Sequence, residues 1–231
     1  MKLNYSKVLI VGAGAGLSAS LARLFVAKGL KLALAARSTD KLAELAAETG
    51  ASVHACDSAD HGQVAALFAA LDQEGAPDVV VYNPSARVRG PFVELDPQAV
   101  AHAVQVTAVG AFFAAQEAAK RMQPAGHGAI LFTGASAGVK GYPQSASFAM
   151  GKFAMRGLAQ SMARELHPKG IHIGHFVIDG GIRGAAKQEA PDGPDSLLDP
   201  DAIALSYWHF LEQDRSSWSW EIEVRPWVER F

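Results

Sequence analysis

The sequence predicts an α/β chain built as a doubly wound parallel sheet of about seven strands with helices on both faces. Three observations carry that reading. The chain is 231 residues long and 49% hydrophobic, enough to bury a sizeable core, and its length suits one α/β domain spanning residues 1–231. Apolar strand-like runs alternate with helical periodicity from one end to the other, an order that implies parallel pairing through right-handed crossovers. The alternation opens on a distinctive unit, VLIVGAGAGLSASLARLF at residues 8–25. Within it, residues 8–12 read as a buried strand. Gly12, Gly14 and Gly16 make a turn, and Leu17, Leu21, Leu24 and Phe25 recur at helical spacing. A strand, a glycine turn and a helix N-terminus present free N–H groups and the positive end of a helix dipole, which together suit an anion such as a phosphate.

The remaining elements follow in order. Residues 31–36 read as a second strand with Arg37 at its end. Thr39 or Asp40 can cap a helix through Glu48, with Leu42 and Leu45 facing inward. Residues 51–56 form a third strand ending at Asp57, and residues 59–74 the next helix. Pro77 and Asp78 introduce a fourth strand, 79–82, which runs into Asn83-Pro84-Ser85-Ala86. Asp96-Pro97 begins a long alanine-rich helix reaching about Met122. A fifth strand at 129–133 leads into a loop containing Gly134, Gly138 and Gly141. A second long helix spans 145–166 and a sixth strand 171–178, broken by Asp179-Gly180-Gly181. Residues 184–197 read as one long loop rich in charge, Pro and Gly. Together with the residues up to 200 it is either a lid over a substrate or a mobile surface loop. A short helix at 202–213 and a last strand at 218–224 complete the pattern. The tail 218–231 carries Trp218, Trp220, Trp227 and Phe231, aromatic bulk expected to dock on this subunit or a partner.

Composition excludes several classes. With 21 basic and 23 acidic residues interspersed and a net charge of −2, no basic block suggests nucleic acid or an anionic membrane. Residues 1–7 are polar, without the apolar stretch of a cleavable signal, and no run of about 18 apolar residues suggests a membrane span. The one cysteine, Cys56, fits a reducing cytoplasm and reads as a small buried hydrophobe rather than a nucleophile. The eight histidines show no spacing with Cys or acids that makes a metal site.

In open parallel sheets ligands bind beyond the carboxyl ends of the strands. Those ends carry residues 12–16, Arg37, Asp57, residues 83–86, residues 134–136 and residues 179–182. Where a dinucleotide-binding fold places a carboxylate on the ribose hydroxyls, this chain has Ala36 and Arg37. An arginine there accommodates a 2′-phosphate, so NADP(H) is expected over NAD(H). Asp57 can accept from an adenine amino group, cap the next helix, or do both.

From these residues the chain resembles the short-chain dehydrogenase/reductases, nearly end to end. The family's opening T-G-x-x-x-G-x-G corresponds to Val11-Gly12-Ala13-Gly14-Ala15-Gly16-Leu17-Ser18, with valine for the threonine and Ser18 for the last glycine. Its N-N-A-G corresponds to Tyr82-Asn83-Pro84-Ser85, and its P-G after the sixth strand to Asp179-Gly180. The resemblance implies a Rossmann-type domain. It also implies a cofactor site drawn from Gly12, Ala15, Gly16, Leu17, Arg37, Asp57, Asn83, Pro84, Ser85, Lys152, Gly180 and Ile182, the last through its backbone. It implies a small-molecule substrate and a homodimer or homotetramer formed through the alanine-rich helices.

The expected chemistry departs from the family. The family's Tyr-x-x-x-Lys position reads Phe148-Ala149-Met150-Gly151-Lys152. The serine position falls on Ala135 with Ser136 beside it, and the asparagine position is Thr107. Phenylalanine has no proton to give, so only Lys152 of the four is kept, with Ser136 and Tyr142 as candidate substitutes. Two functions remain open: an oxidoreductase acting on a small carbonyl, alcohol or double bond with an altered acid/base set, or a catalytically silent nucleotide-binding protein acting as sensor or structural partner. Specificity is expected to reside in residues 86–95, 136–147 and 184–200.

Overall fold

The computed structural model describes residues 4–184, 187–189 and 195–228. Its main sheet has seven strands, all paired in parallel: β1 (Lys7–Val11), β2 (Lys31–Ala36), β3 (Ser52–Ala55), β4 (Val79–Tyr82), β5 (Gly128–Thr133), β6 (Ile171–Ile178) and β9 (Glu221–Val224). The order is β3-β2-β1-β4-β5-β6-β9. The chain therefore winds outward from β1 in one direction, then returns to start again beside β1 at β4. That reversal opens a crevice at the carboxyl ends of β1 and β4.

Strand side chains alternate between two packed layers, as the period of two requires. Leu9 and Val11 join the layer covered by α3 (His61–Asp72), α5 (Gly110–Ala125) and α6 (Ala146–Leu166). Val8 and Ile10 join the layer covered by α1 (Leu17–Ala27), α2 (Ala43–Thr49) and α7 (Pro200–Leu211). Both faces of the central strands are buried, which is why they read as continuous apolar runs rather than alternating ones.

Several boundaries differ from the sequence expectation. Neither Thr39 nor Asp40 caps α2 by a side-chain bond; the segment enters through a short 3₁₀ turn, Asp40–Leu42. Helix α3 is capped by Asp60, whose carboxylate accepts from the Gln63 N–H, and not by Asp57. Asp57 instead accepts from Ala59 N at 3.0 Å and closes the preceding turn. The long helix expected from Asp96 to Met122 is interrupted. It comprises α4 (Pro97–Val104), a π segment (Gln105–Val109) and α5. Taken together this helical run covers Pro97–Ala125, long and apolar enough by those measures to cross a membrane. Here Ala111, Ala114, Ala115, Ala118 and Met122 lie in the core against the sheet.

Two short strands missed in the sequence, β7 (Gly181–Ile182) and β8 (Leu197–Leu198), pair in parallel and tie together the ends of the expected loop. Residues 185–186 and 190–194 of that proposed lid lie outside the described residues. In the tail, Trp218 stacks on the His172 ring at 4.3 Å and Trp220 packs against the core. Trp227 remains 82% exposed, and Phe231 lies outside the described residues.

Candidate functional site

The turn after β1 is closed by contacts its residues dictate. Gly12 takes φ +77°, and a Cβ there would stand 2.6 Å from the Pro84 ring. Ser18, standing where the family has a glycine, is buried at the start of α1. It donates to Gly12 O and accepts from Asn83 Nδ2 at 2.8 Å. Asn83 thus joins the end of β4 to the turn after β1. No side chain caps α1 and no acid occupies its first turn. Nothing lies within 4 Å of a Cβ placed on Gly14 or Gly16, so the space beside those N–H groups is open. This uncapped helix start fits an anion.

Two cavities meet along the carboxyl edge of the sheet. The outer one, about 470 Å³, is lined by residues 11–15, by Arg37, Ser38 and Lys41 after β2, by residues 56–58 after β3, and by residues 83–85. The inner one, about 560 Å³, is lined by Leu17, Arg87, residues 133–137, Tyr142, Phe148, Lys152, Ile178, Gly180 and Ile182, and again by Asn83 and Ser85. Asn83 and Ser85 therefore join the two into one cleft.

The structure brings nearly all the sequence candidates to that cleft. Gly12, Ala15, Arg37, Asp57 and Pro84 line the outer half. Leu17, Ser136, Tyr142, Lys152, Gly180 and Ile182 line the inner half. Gly16 lines neither and serves as the N-cap residue of α1. Cys56 is buried, and burial, then Asp57 and Asp60, pushes its thiol up to about 11, consistent with an inert hydrophobe.

The inner half is organised around Phe148. Phe148 and Lys152 share one face of α6 by their i, i+4 spacing, and the Lys152 ammonium lies 5.7 Å from the Phe148 ring centroid. The Arg87 guanidinium lies 5.1 Å from the same ring. Lys152 is fully buried and donates to Thr133 O at 2.5 Å. Burial brings its ammonium down to about 7. The Ser136 hydroxyl has no protein partner among the described residues, while Tyr142 is 41% exposed with Lys140 5.8 Å from its ring. Thr107, at the expected asparagine position, is buried in the π segment and accepts from Ala86 N at 3.1 Å.

Sequence reasoning missed Arg87 and Lys41. Lys41 follows Arg37 by four residues, a spacing that would have placed a second cation beside the first. Arg87 follows Asn83 by four, within an Arg-x-Arg stretch at the end of a strand already marked as ligand-facing. Among the described residues no group of three or more His, Cys, Asp or Glu converges as a metal site.

Comparison with known proteins gives consistent matches. The model of the short chain dehydrogenase family matches residues 6–192. A 3-dehydrosphinganine reductase of Arabidopsis thaliana is 31% identical over 178 residues, which are 74% of this chain and 54% of that protein. The chain thus spans about half the length of that relative. The crystal structure of a short-chain dehydrogenase from Rhodopseudomonas palustris superposes with a TM-score of 0.83 at 34% identity, covering 96% of this chain and 99% of that one. A metagenomic short-chain oxidoreductase, solved in complex with NADP, superposes with a TM-score of 0.83 at 25% identity, covering 98% and 99%.

Proposed function

This chain belongs to the short-chain dehydrogenase/reductase family, and we propose that it is an NADP(H)-dependent oxidoreductase of a carbonyl, alcohol or double-bond substrate with an altered acid/base set. The observation that carries the reading is the single cleft. It runs from an open, uncapped helix start, past Arg37 and Lys41, to the buried amine of Lys152. The NADP complex of a structural relative supports the choice of nucleotide.

When bound, the nicotinamide supplies or accepts a hydride at its C4. The chain's own residues do the rest. The N–H groups at the start of α1 take the pyrophosphate. Arg37, with Lys41 beside it, holds the 2′-phosphate, and Asp57 accepts from the adenine amino group. The backbone of Ile182 positions the carboxamide. Lys152 holds a ribose hydroxyl and, poised near neutrality, supplies or removes the proton that a tyrosine would otherwise carry. Ser136 or Tyr142 orients the substrate oxygen.

The test is a titration with NADPH and with NADH, by nucleotide fluorescence and calorimetry, on the native chain and on Arg37→Ala. NADPH is expected to bind more tightly than NADH, and the variant to weaken NADPH roughly ten- to hundredfold, the range of a charge-assisted hydrogen bond. Failure of both nucleotides to bind overturns the proposal. NADPH binding without turnover across a panel of carbonyls and alcohols favours instead a silent nucleotide-binding protein, the reading that Phe148 supports.

A further inference from the structure

We propose that the inner half of the cleft takes a substrate bearing a carboxylate, and that Arg87 is the residue that holds it; the inference rests on the reading that this half is the substrate end of a nucleotide cleft. The argument begins with how Arg87 is placed. Thr107 Oγ1 accepts from Ala86 N at 3.1 Å. One residue further on, Ser147 Oγ accepts from Val88 N at 2.9 Å and donates to Val88 O at 3.1 Å. Ser147 is fully buried on α6 and Thr107 is fully buried in the π segment. The backbone on either side of Arg87 is therefore clamped to two buried elements rather than left as a free loop.

The side chain is also held. One nitrogen of the guanidinium donates to the hydroxyl of Ser145, itself buried at the start of α6, and the group lies against the Phe148 ring. Among the described residues Arg87 has no acidic partner, unlike Arg23, Arg121, Arg156 and Arg183, each of which pairs with a carboxylate. A guanidinium carries five N–H donors in a planar fork, and the Ser145 bond uses one. The free donors belong to a side chain that lines the cavity.

The rest of the lining makes an anion the fitting guest. Asp57 lines the outer half, whereas the inner half has two basic side chains, Arg87 and Lys152, and no carboxylate among its lining residues. Lys152 gives one donor to Thr133 O and in the proposed function serves the ribose and the proton, so Arg87 is the basic group left for a substrate anion. A preorganised planar fork matches the two oxygens of a carboxylate, and the ring beneath it limits the rotamers it must give up on binding. The substrate class that follows is an oxo or hydroxy acid. Its carboxylate rests on Arg87 while its reducible carbon faces the region between Ser136 and Lys152.

The experiment uses the full chain, first titrated with NADPH, and then with three oxo acids of increasing size (acetoacetate, 4-oxopentanoate and benzoylformate) and the methyl ester of each. Calorimetry and, where turnover occurs, KM are read for the native chain, Arg87→Gln, Arg87→Lys and the control Arg89→Gln, exposed like Arg87 but outside the cavity lining. The expected result is that at least one acid binds about tenfold or more tightly than its ester. Arg87→Gln should erase that difference with NADPH affinity unchanged, Arg87→Lys should keep part of it, and Arg89→Gln should leave it intact. Thermal melting of the Gln variant checks that it is folded, and the Lys variant keeps the charge if the Gln variant is not. Three outcomes overturn the inference: esters binding as well as acids, no acid binding at concentrations on the order of tens of millimolar, or Arg87→Gln weakening NADPH itself. NADPH binding without acid preference sinks this inference alone. Failure of NADPH to bind sinks the proposed function, and the acids are then judged on the free chain.

Discussion

Lys152 and Phe148 state the central problem of the site at the level of single side chains. A buried ammonium needs a partner, and here it has a backbone carbonyl and an aromatic face instead of a carboxylate. Burial therefore wins, and the amine sits near neutrality at about 7. The folded chain releases that proton near pH 7, whereas the unfolded chain holds it to about 10.4. Unfolding thus takes up a proton across that interval, and stability must rise with pH through it. Lys152→Met should remove this rise and melt higher than the native chain at pH 7; a melting temperature that climbs equally in both between pH 7 and 10 refutes the assignment. The converse change tests the chemistry. Phe148→Tyr with Ala135→Ser places a phenol beside the cation and a hydroxyl across the cavity that both residues line. Carbonyl reduction should then appear or increase, measured as NADPH consumption, and a folded double variant with no change would show that a substrate does not reach this end of the cleft.

At the level of elements, the informative departure is the π segment between α4 and α5. The sequence reads as one uninterrupted alanine-rich helix because its apolar spacing never falters. What breaks it comes from residues distant along the chain. The Tyr82 hydroxyl donates to Val106 O at 2.5 Å, and Gln105 Nε2 donates to Ala59 O at 3.1 Å. Gly110 then lets the helix approach so closely that a Cβ there would collide with Ser58 O and the Tyr82 hydroxyl. The widened turn carries Thr107 to Ala86 and so fixes the segment leading to Arg87. Gly110→Ala should cost about 1–3 kcal/mol by overpacking, and Tyr82→Phe about 1 kcal/mol by loss of one buried hydrogen bond. Both are read by chemical denaturation. A neutral Gly110→Ala would mean the helix can be drawn away from β4 without cost. The same reasoning explains the caps that were misplaced. Asp57 and Asp60 are equally good capping residues by type, and only the path of the chain decides that Asp60 meets the Gln63 N–H.

For the whole molecule, what was legible in the sequence is what is written along one dimension. The strand and helix alternation fixes a parallel doubly wound sheet, and strand ends fix where a ligand can lie, so Gly12, Arg37, Asp57 and Asn83 are placed at one edge by topology, whereas Lys152, inside α6, is picked out only by the family resemblance. The convergence of Arg87, Phe148 and Ser145 was not legible, because it depends on how the β4 exit lies across the start of α6. The far edge of the sheet shows the same limit and has its own consequence. Strand β9 is held to β6 by a half-buried network: Arg156 on α6 donates twice to Glu221, and Glu221 meets the buried His175 at Nδ1, 3.0 Å away. Next to it, the His172 ring is stacked between Phe210 at 3.9 Å and Trp218 at 4.3 Å, with Nε2 on Ser219 O. Burial pulls His172 down to about 3 and His175 to about 4, the latter despite Glu221. Both are neutral in the folded chain where the unfolded chain, with histidines near 6.5, is already taking up protons. The two contributions to stability are therefore complete above pH 6.5, shrink as pH falls, and stop changing only below about 3–4. His172→Phe keeps the aromatic stack and gives up one hydrogen bond. It should lower the melting temperature slightly at pH 8 and flatten its fall between pH 6.5 and 4. An acid limb as steep in the variant as in the native chain would place the acid sensitivity elsewhere, and repeating the scan with Glu221→Gln would then show whether the Arg156–Glu221–His175 network carries it.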